Sequence, residues 1–221
     1  QHLRDSAKAV DAINVYPVPD GDTGSNMSAT LREAVERTAS LGDAPGVSEV
    51  LATLARGALY GARGNSGVIL SQALRGFAAG VGEAERLDAR KLADGFEAAA
   101  TQAYRAVSNP QEGTMLTVLR EAAAAAVQAA SALPNRGAGI GCVGVMGAAV
   151  RAAEVAEAAT IEQLESLREA GVPDAGDDVV VVADERKARE LALLRETKLR
   201  DQKLAASQAV RMDQIFAQMG D

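Results

Sequence analysis

The chain has 221 residues, enough for one large domain with an appendage. Alanine leads the composition with 47 residues, while Phe, Tyr and Trp together make up 3%; this favours close-packed helices and excludes a β-sandwich or barrel. With 30 acidic against 23 basic residues, a net charge of −7, there is no basic footprint and little aromatic surface for stacking, which excludes a nucleic-acid binder.

Hydrophobic residues reach 48%, so a sizeable core can be buried and general disorder is excluded. The lone Cys142 rules out an intrachain disulfide framework and any multi-cysteine zinc site. The one histidine, His2, stands at the extreme end, which excludes histidine-based triads and paired-histidine zinc sites. Chemistry must therefore come from carboxylates, hydroxyls, backbone amides and a hard metal ion. No apolar run approaches the ~20 residues needed to span a bilayer, and no leader pattern is present. No transmembrane segment and a cytoplasmic location are expected. The helical pattern is already under way at Gln1, so an initial stretch is expected to be missing.

Leu3, Ala7, Val10 and Ile13 recur at helical spacing. Residues 14–24, rich in Pro and Gly, interrupt that pattern. Met27 opens the next apolar face, with Leu31, Ala34 and Val35. After a turn at 42–46, Val50, Leu51, Leu54, Ala55 and Leu59 point inward on a third helix. Residues 61–67 break the chain, and Ser66 is the expected N-cap of a helix over 68–79. Asp88 caps the following helix, whose stripe is Leu92, Phe96, Ala100, Ala103, Tyr104 and Val107. Another helix runs from Thr114 through the alanine block 122–126. A further one ends near Ala159, and Thr160 with Gln163 makes a capping box for a short helix stopping at Gly171. This makes eight helical segments, with no strand pattern before Val179.

The tail differs in composition. Residues 179–182 are the one strand-like run, and 12 of the 20 residues from Asp184 to Lys203 are charged. We expect a domain over 1–178 and a charged helical tail over 179–221. The tail's apolar stripe (Leu191, Leu194, Val210, Ile215, Met219) suits contact with a second chain, such as a homodimer partner, or with a further domain.

The sharpest local signal is Asn14-Val-Tyr-Pro-Val-Pro-Asp-Gly-Asp-Thr-Gly-Ser-Asn26. Pro17 and Pro19 stiffen the approach to Asp20, and Gly21 lets the chain turn before Asp22. Asp20, Asp22 and Asn14 form an all-oxygen set of the kind Mg²⁺ accepts alongside water and phosphate. The helix opening at Met27 would leave the amides of Gly24, Ser25 and Asn26 facing an anion. An ordinary Pro-Asp-Gly turn is the competing reading.

The second signal, Gly61-Ala-Arg-Gly-Asn-Ser-Gly67, offers a phosphate-cradling nest through Gly64, Asn65, Ser66 and Gly67. A tight helix–helix turn competes with it. At Gly113-Thr-Met-Leu116, Thr114 as an N-cap and Met115 as core are the plainer assignments. Gly139-Ile-Gly-Cys-Val-Gly144 matches a dinucleotide fingerprint in letters only, because no strand precedes it. Gly141, Gly144 and Gly147 instead suit a flat helix face for close packing, and Cys142 a small buried position.

At these motifs the sequence resembles the ATP-binding domain of bacterial fatty acid kinase, of the dihydroxyacetone kinase L-subunit family. The matching stretches are 14–26, 61–71, 112–118 (Glu-Gly-Thr-Met-Leu-Thr-Val) and 167–176 (Leu-Arg-Glu-Ala-Gly-Val-Pro-Asp-Ala-Gly). Within 14–26, Tyr16 and Ser25 replace Phe and Thr of that family's form. The resemblance implies an all-α fold, an eight-helix antiparallel barrel, with ATP and Mg²⁺ at one end. It implies Asp20 and Asp22 as catalytic metal ligands, with Asn14 near the place of a third. Thr23, Gly24, Ser25 and Asn26, together with Ser66 and Gly67, would hold phosphates; Thr114 and Met115 would border the nucleoside, and Asp174 would close over it.

Asp177 departs from the family form, which continues there with glycine, and the tail beyond 178 matches nothing in the family. The implied activity is phosphoryl transfer to a fatty acid carboxylate carried by a lipid-binding partner protein. Dihydroxyacetone held by a K subunit is the rival acceptor, and an inactive nucleotide-binding regulatory module is the rival of another class.

Overall fold

The computed structural model describes residues 2–14, 16, 19–133 and 138–164, all within a compact unit, Gln1–Ala175. Among the described residues there are seven helices: α1 (His2–Ala12), α2 (Thr23–Thr38), α3 (Val47–Gly61), α4 (Gly64–Val81), α5 (Ala89–Arg105), α6 (Met115–Ser131) and α7 (Ala138–Gln163). Among the described residues there is no strand, as the alanine-rich composition requires. No described helix is long and apolar enough to cross a membrane.

Each helix packs on the next, and α2 also meets α4 while α5 also meets α7. The pairings run in opposite directions along the two helices of a pair. Gly57 lies against Ala34 and Gly61 against Glu33, while Gly76 lies against Ala98 and Gly80 against Asp94. Short connections joining antiparallel neighbours are the usual economy of helical bundles. Successive reversals bring the α1–α2, α3–α4 and α5–α6 connections and the end of α7 to one end of the series. Among the described residues, α1, α2 and α3 do not reach α6 or α7.

Small side chains make the core. One cluster joins Ala89, Leu92, Ala93, Ala122, Ala126, Ala130, Val145 and Ala149; another joins Ala73, Ala99, Ala103 and Leu116. Phe77 packs against both clusters and meets Phe96 edge to face, ring centroids 5.6 Å apart. A Cβ on Gly76 or Gly80 would collide with the carbonyl of Ala98 or Asp94, so glycine there sets how closely α4 and α5 approach.

Several sequence expectations change in the structure. Val35 and Leu59, expected inward, are 54% and 49% exposed, and Ile13 is 45% exposed. Ala34 and Ala55 are buried as expected, and Thr30, Gly57 and Ala58 join them, Gly57 lying directly against the α2 backbone at Ala34. Thr160 caps no new helix: α7 continues through Gln163, and the Thr160 hydroxyl donates to the Glu157 carbonyl. Of Gly141, Gly144 and Gly147, only Gly141 has the close-packing role, against Ala89 and Leu133; Gly144 faces open space, and Gly147 meets the side chain of Arg151. Cys142 is half-buried, its thiol toward the Leu87 carbonyl at 3.6 Å. The short helix expected to end at Gly171, the boundary near 178, the strand-like run and the charged tail lie outside the described residues.

Candidate functional site

Helix α2 begins at Thr23, four residues ahead of the Met27 start that apolar spacing suggests, with Asp22 at the N-cap. That earlier start uses the amides expected to be free. Asn26 N–H donates to the Asp22 carbonyl (2.8 Å) within the first turn. The Asp11 carboxylate, on the last turn of α1, accepts from Ser25 N–H (3.0 Å) and from the Ser25 hydroxyl (2.6 Å). Partial burial works to raise the Asp11 pKa, but the Ser25 hydroxyl and the Ser25 and Gly24 amides outweigh it and hold the group below the ordinary aspartate value. Gly24 is buried because a Cβ there would strike the Ala7 carbonyl, so α1 lies directly on the start of α2.

Within the loop, the Asn14 side-chain amide donates to Asp20 (2.6 Å), and its oxygen accepts from the Thr23 hydroxyl (2.7 Å). Gly21 turns the chain at φ +65°, a conformation that favours glycine. Asp20 is exposed, and Asp22 makes no side-chain capping bond. Neither takes part in an ion pair among the described residues. Pro17 lies outside those residues.

The glycine-rich motif meets this helix start. Helix α4 begins at Gly64, so Ser66 is its third residue and not its N-cap; its buried hydroxyl donates a long bond (3.3 Å) to the Thr23 carbonyl. Gly64, at φ +57°, lies against the Asn26 side chain. A Cβ on Gly67 would strike the Thr30 hydroxyl, which donates to the carbonyls of Asn26 (2.8 Å) and Gly61 (3.3 Å). Gly61 and Gly67 therefore face α2, and the tight-packing reading accounts for both. Arg63, Gly64 and Asn65 remain exposed at the α4 start.

The third motif sits on the α5–α6 connection. Thr114 is the N-cap of α6, accepting from Leu116 N–H, and Met115 is half-buried. Gly113, at φ +75°, is pressed against Thr160 and Leu164 at the end of α7. Its N–H donates to the buried Thr117 hydroxyl, which donates to Glu112 (2.7 Å). The Thr117 hydroxyl, more than the opposing effect of burial, holds Glu112 below the ordinary glutamate value, with help from Arg120 and Tyr104. Arg120 pairs with Glu112 and with Glu121 (2.8 Å). A groove of about 480 Å³ beside this network is lined by Thr117, Glu121, Arg151 and the α7 residues Val155, Ala156 and Ala159, without Thr114 or Met115. Asp174 lies outside the described residues.

The first two motifs thus form one locus, while the third shares its end of the helical series. Sequence reasoning overlooked Asp11, Thr30 and the Glu112–Thr117–Arg120 network. One signal for Asp11 was available: an acid in the last turn of a helix opposes the local dipole and so calls for a compensating partner.

Fold and site together define an all-helical domain in which an acidic loop and a glycine-rich helix start meet on one helix N-terminus. The chain belongs to the DAK2 domain family, which matches residues 17–184. That family, of the dihydroxyacetone kinase L-subunit type, is associated with kinase-type phosphoryl transfer and binds ADP or ATP.

Uncharacterized proteins of Staphylococcus saprophyticus and Staphylococcus haemolyticus are each 44% identical over 179 residues. One from Staphylococcus epidermidis is 42% identical over the same length. The match covers 80% of this chain and 31% of each relative, so the chain spans about a third of their length.

Proposed function

We propose that this chain is the ATP·Mg²⁺-binding phosphotransferase domain of a fatty acid kinase, cytoplasmic and built on an eight-helix antiparallel barrel. Its acceptor is a fatty acid carboxylate presented by a separate lipid-binding protein. The observation that carries this reading is the contact of Thr23 and Asn26 with Ser66 and Gly64, which joins the acidic and glycine-rich motifs into one locus. The Pro-Val-Pro-Asp-Gly-Asp-Thr-Gly form at 17–24 supports the fatty acid branch over dihydroxyacetone.

The donors fit magnesium. Among the described residues no group of three or more His, Cys, Asp or Glu side chains could hold a metal. Mg²⁺ needs no such cage, since it is held by one or two carboxylates plus water and phosphate oxygens. Asp20 and Asp22 would be those carboxylates, with Asn14 fixing Asp20 rather than offering its own engaged oxygen. When bound, the ion would neutralise charge on the triphosphate. Such transfer relies on positioning and electrostatics more than on a protein nucleophile, which suits a site without histidine. Gly64, Asn65 and the side chain of Asn26 would orient phosphates, while the Thr23 hydroxyl holds Asn14. Gly24 and Ser25 contribute through their bonds to Asp11.

The test is turnover: the full chain with ATP, Mg²⁺ and an acyl-loaded lipid-binding protein, with acyl phosphate trapped by hydroxylamine. Acyl hydroxamate formed in proportion to ADP is expected. ATP binding without hydroxamate, or ADP release driven by dihydroxyacetone on a K subunit instead, overturns the acceptor assignment.

A further inference from the structure

We propose that Asp11 is a positioning residue, the latch that closes the acidic loop on the start of α2 and so presets Asp20 and Asp22. This rests on the functional reading above and deepens it. The loop leaves α1 after Ala12 and must deliver both carboxylates before α2 begins at Thr23. Asp11 touches it from three directions. Its carboxylate takes the Ser25 N–H and hydroxyl at 3.0 and 2.6 Å, binding the far end of the loop to the near end. Its own carbonyl accepts from Asn14 N–H (3.3 Å), the residue whose side chain holds Asp20 and Thr23. Gly21, between the two acids, folds back over it, so that a Cβ there would lie 3.6 Å from the Asp11 carbonyl oxygen.

The position of Asp11 is otherwise unfavourable. A carboxylate in the final turn of α1 opposes that helix's dipole, and the same charge is favoured at the N-terminus of α2. The charge therefore does its work across the junction and not within its own helix. By filling the first-turn amides of α2, Asp11 also directs incoming phosphates to the metal carboxylates and the α4 start. A loop already closed loses less freedom when its acids take up a cation, and this appears as tighter binding.

The experiment measures ATP binding by the full chain across a Mg²⁺ titration, for wild type, Asp11→Ala, Asp11→Asn and Asp88→Ala. Asp88 caps α5 through Lys91 N–H, away from the loop, so its variant loses stability without touching the latch. Asp11→Ala is expected to raise the Mg²⁺ midpoint about tenfold, the scale of losing hydrogen bonds to a charged group. Asp11→Asn, which keeps one acceptor, should fall between Ala and wild type even if the Ala variant folds poorly. Asp88→Ala should leave the midpoint in place. An unchanged midpoint in both Asp11 variants, or an equal shift in Asp88→Ala, overturns the latch while leaving the site reading intact. Absence of Mg²⁺-dependent ATP binding in wild type overturns the site reading and the latch with it.

Discussion

The α1–α2 junction and the α4–α5 seam solve the same problem, holding two antiparallel helices together, by different means. At the seam, shape does the work. Gly76 and Gly80 bring α4 against the α5 backbone at Ala98 and Asp94, Phe77 fills the space left by Gly95, and one polar pair, Gln102 to Gln72 (3.1 Å), completes it. At the junction, a single close approach of Gly24 to Ala7 is supplemented by side-chain bonds from Asp11, Asn14 and Thr23. Close-packed seams admit one arrangement and tolerate no added volume. Exposed hydrogen bonds can be exchanged for ligand bonds at small net cost. The acidic loop is thus placed where the molecule can rearrange its polar contacts, on a base that cannot shift.

The largest expected effect separates the two regions. Asp20→Ala and Asp22→Ala should each weaken Mg²⁺-dependent ATP binding by more than about 100-fold, since outer-shell changes alone cost 10–100-fold in metal affinity. Thermal midpoints should barely move, because Asp20 is exposed and Asp22 makes no side-chain cap. Calorimetric titration with ATP and Mg²⁺ checks this, and unchanged affinity in both variants would remove the metal assignment. Gly80→Val should do the reverse. Its Cβ has no room beside the Asp94 carbonyl, and overpacking should lower stability by about 3 kcal/mol. For a domain of this size that is a fall in Tm of roughly 6–12 °C. The protein that remains folded should bind ATP as before; an unchanged Tm would show that the seam has slack.

The same contrast explains what could be read from the amino-acid order. Caps with a local partner were readable: Asp88 accepts from Lys91 N–H, and Thr114 from Leu116 N–H, as their positions suggest. Ser66 carried the same local signal and was misread. The chain turns into α4 already at Gly64, whose positive φ no propensity scale weighs, and the hydroxyl is used across the interface by Thr23. Apolar periodicity found Ala34 and Ala55 but also pointed Val35 and Leu59 inward because it looks for bulk, whereas this interior is completed by Thr30, Gly57 and Ala58. The acidic and glycine-rich motifs were recognisable as ligand-type sequences. That they share one helix start, with Asp11 occupying amides that looked free, depends on tertiary contacts no spacing rule contains.

The smallest expected effect is a pH dependence, and it isolates the junction. Burial works to raise the Asp11 pKa, yet the Ser25 hydroxyl and the Ser25 and Gly24 amides together carry it below its unfolded value. A lowered carboxylate pKa means that the unfolded chain binds more protons, so stability rises with pH across that window. The contribution is complete above the unfolded value and is lost as pH falls through the folded one. Glu112 acts with the same sign through Thr117 and Arg120, so removing Asp11 alone should reduce the acid sensitivity without abolishing it. Urea midpoints measured from about pH 6 down to about pH 3 should fall less steeply for Asp11→Asn than for wild type, the two curves converging at the acid end. Parallel curves would mean that the Asp11 clasp is not formed in solution, and the difference between the polar junction and the close-packed seam would then have to rest on Gly24 and Ala7 alone.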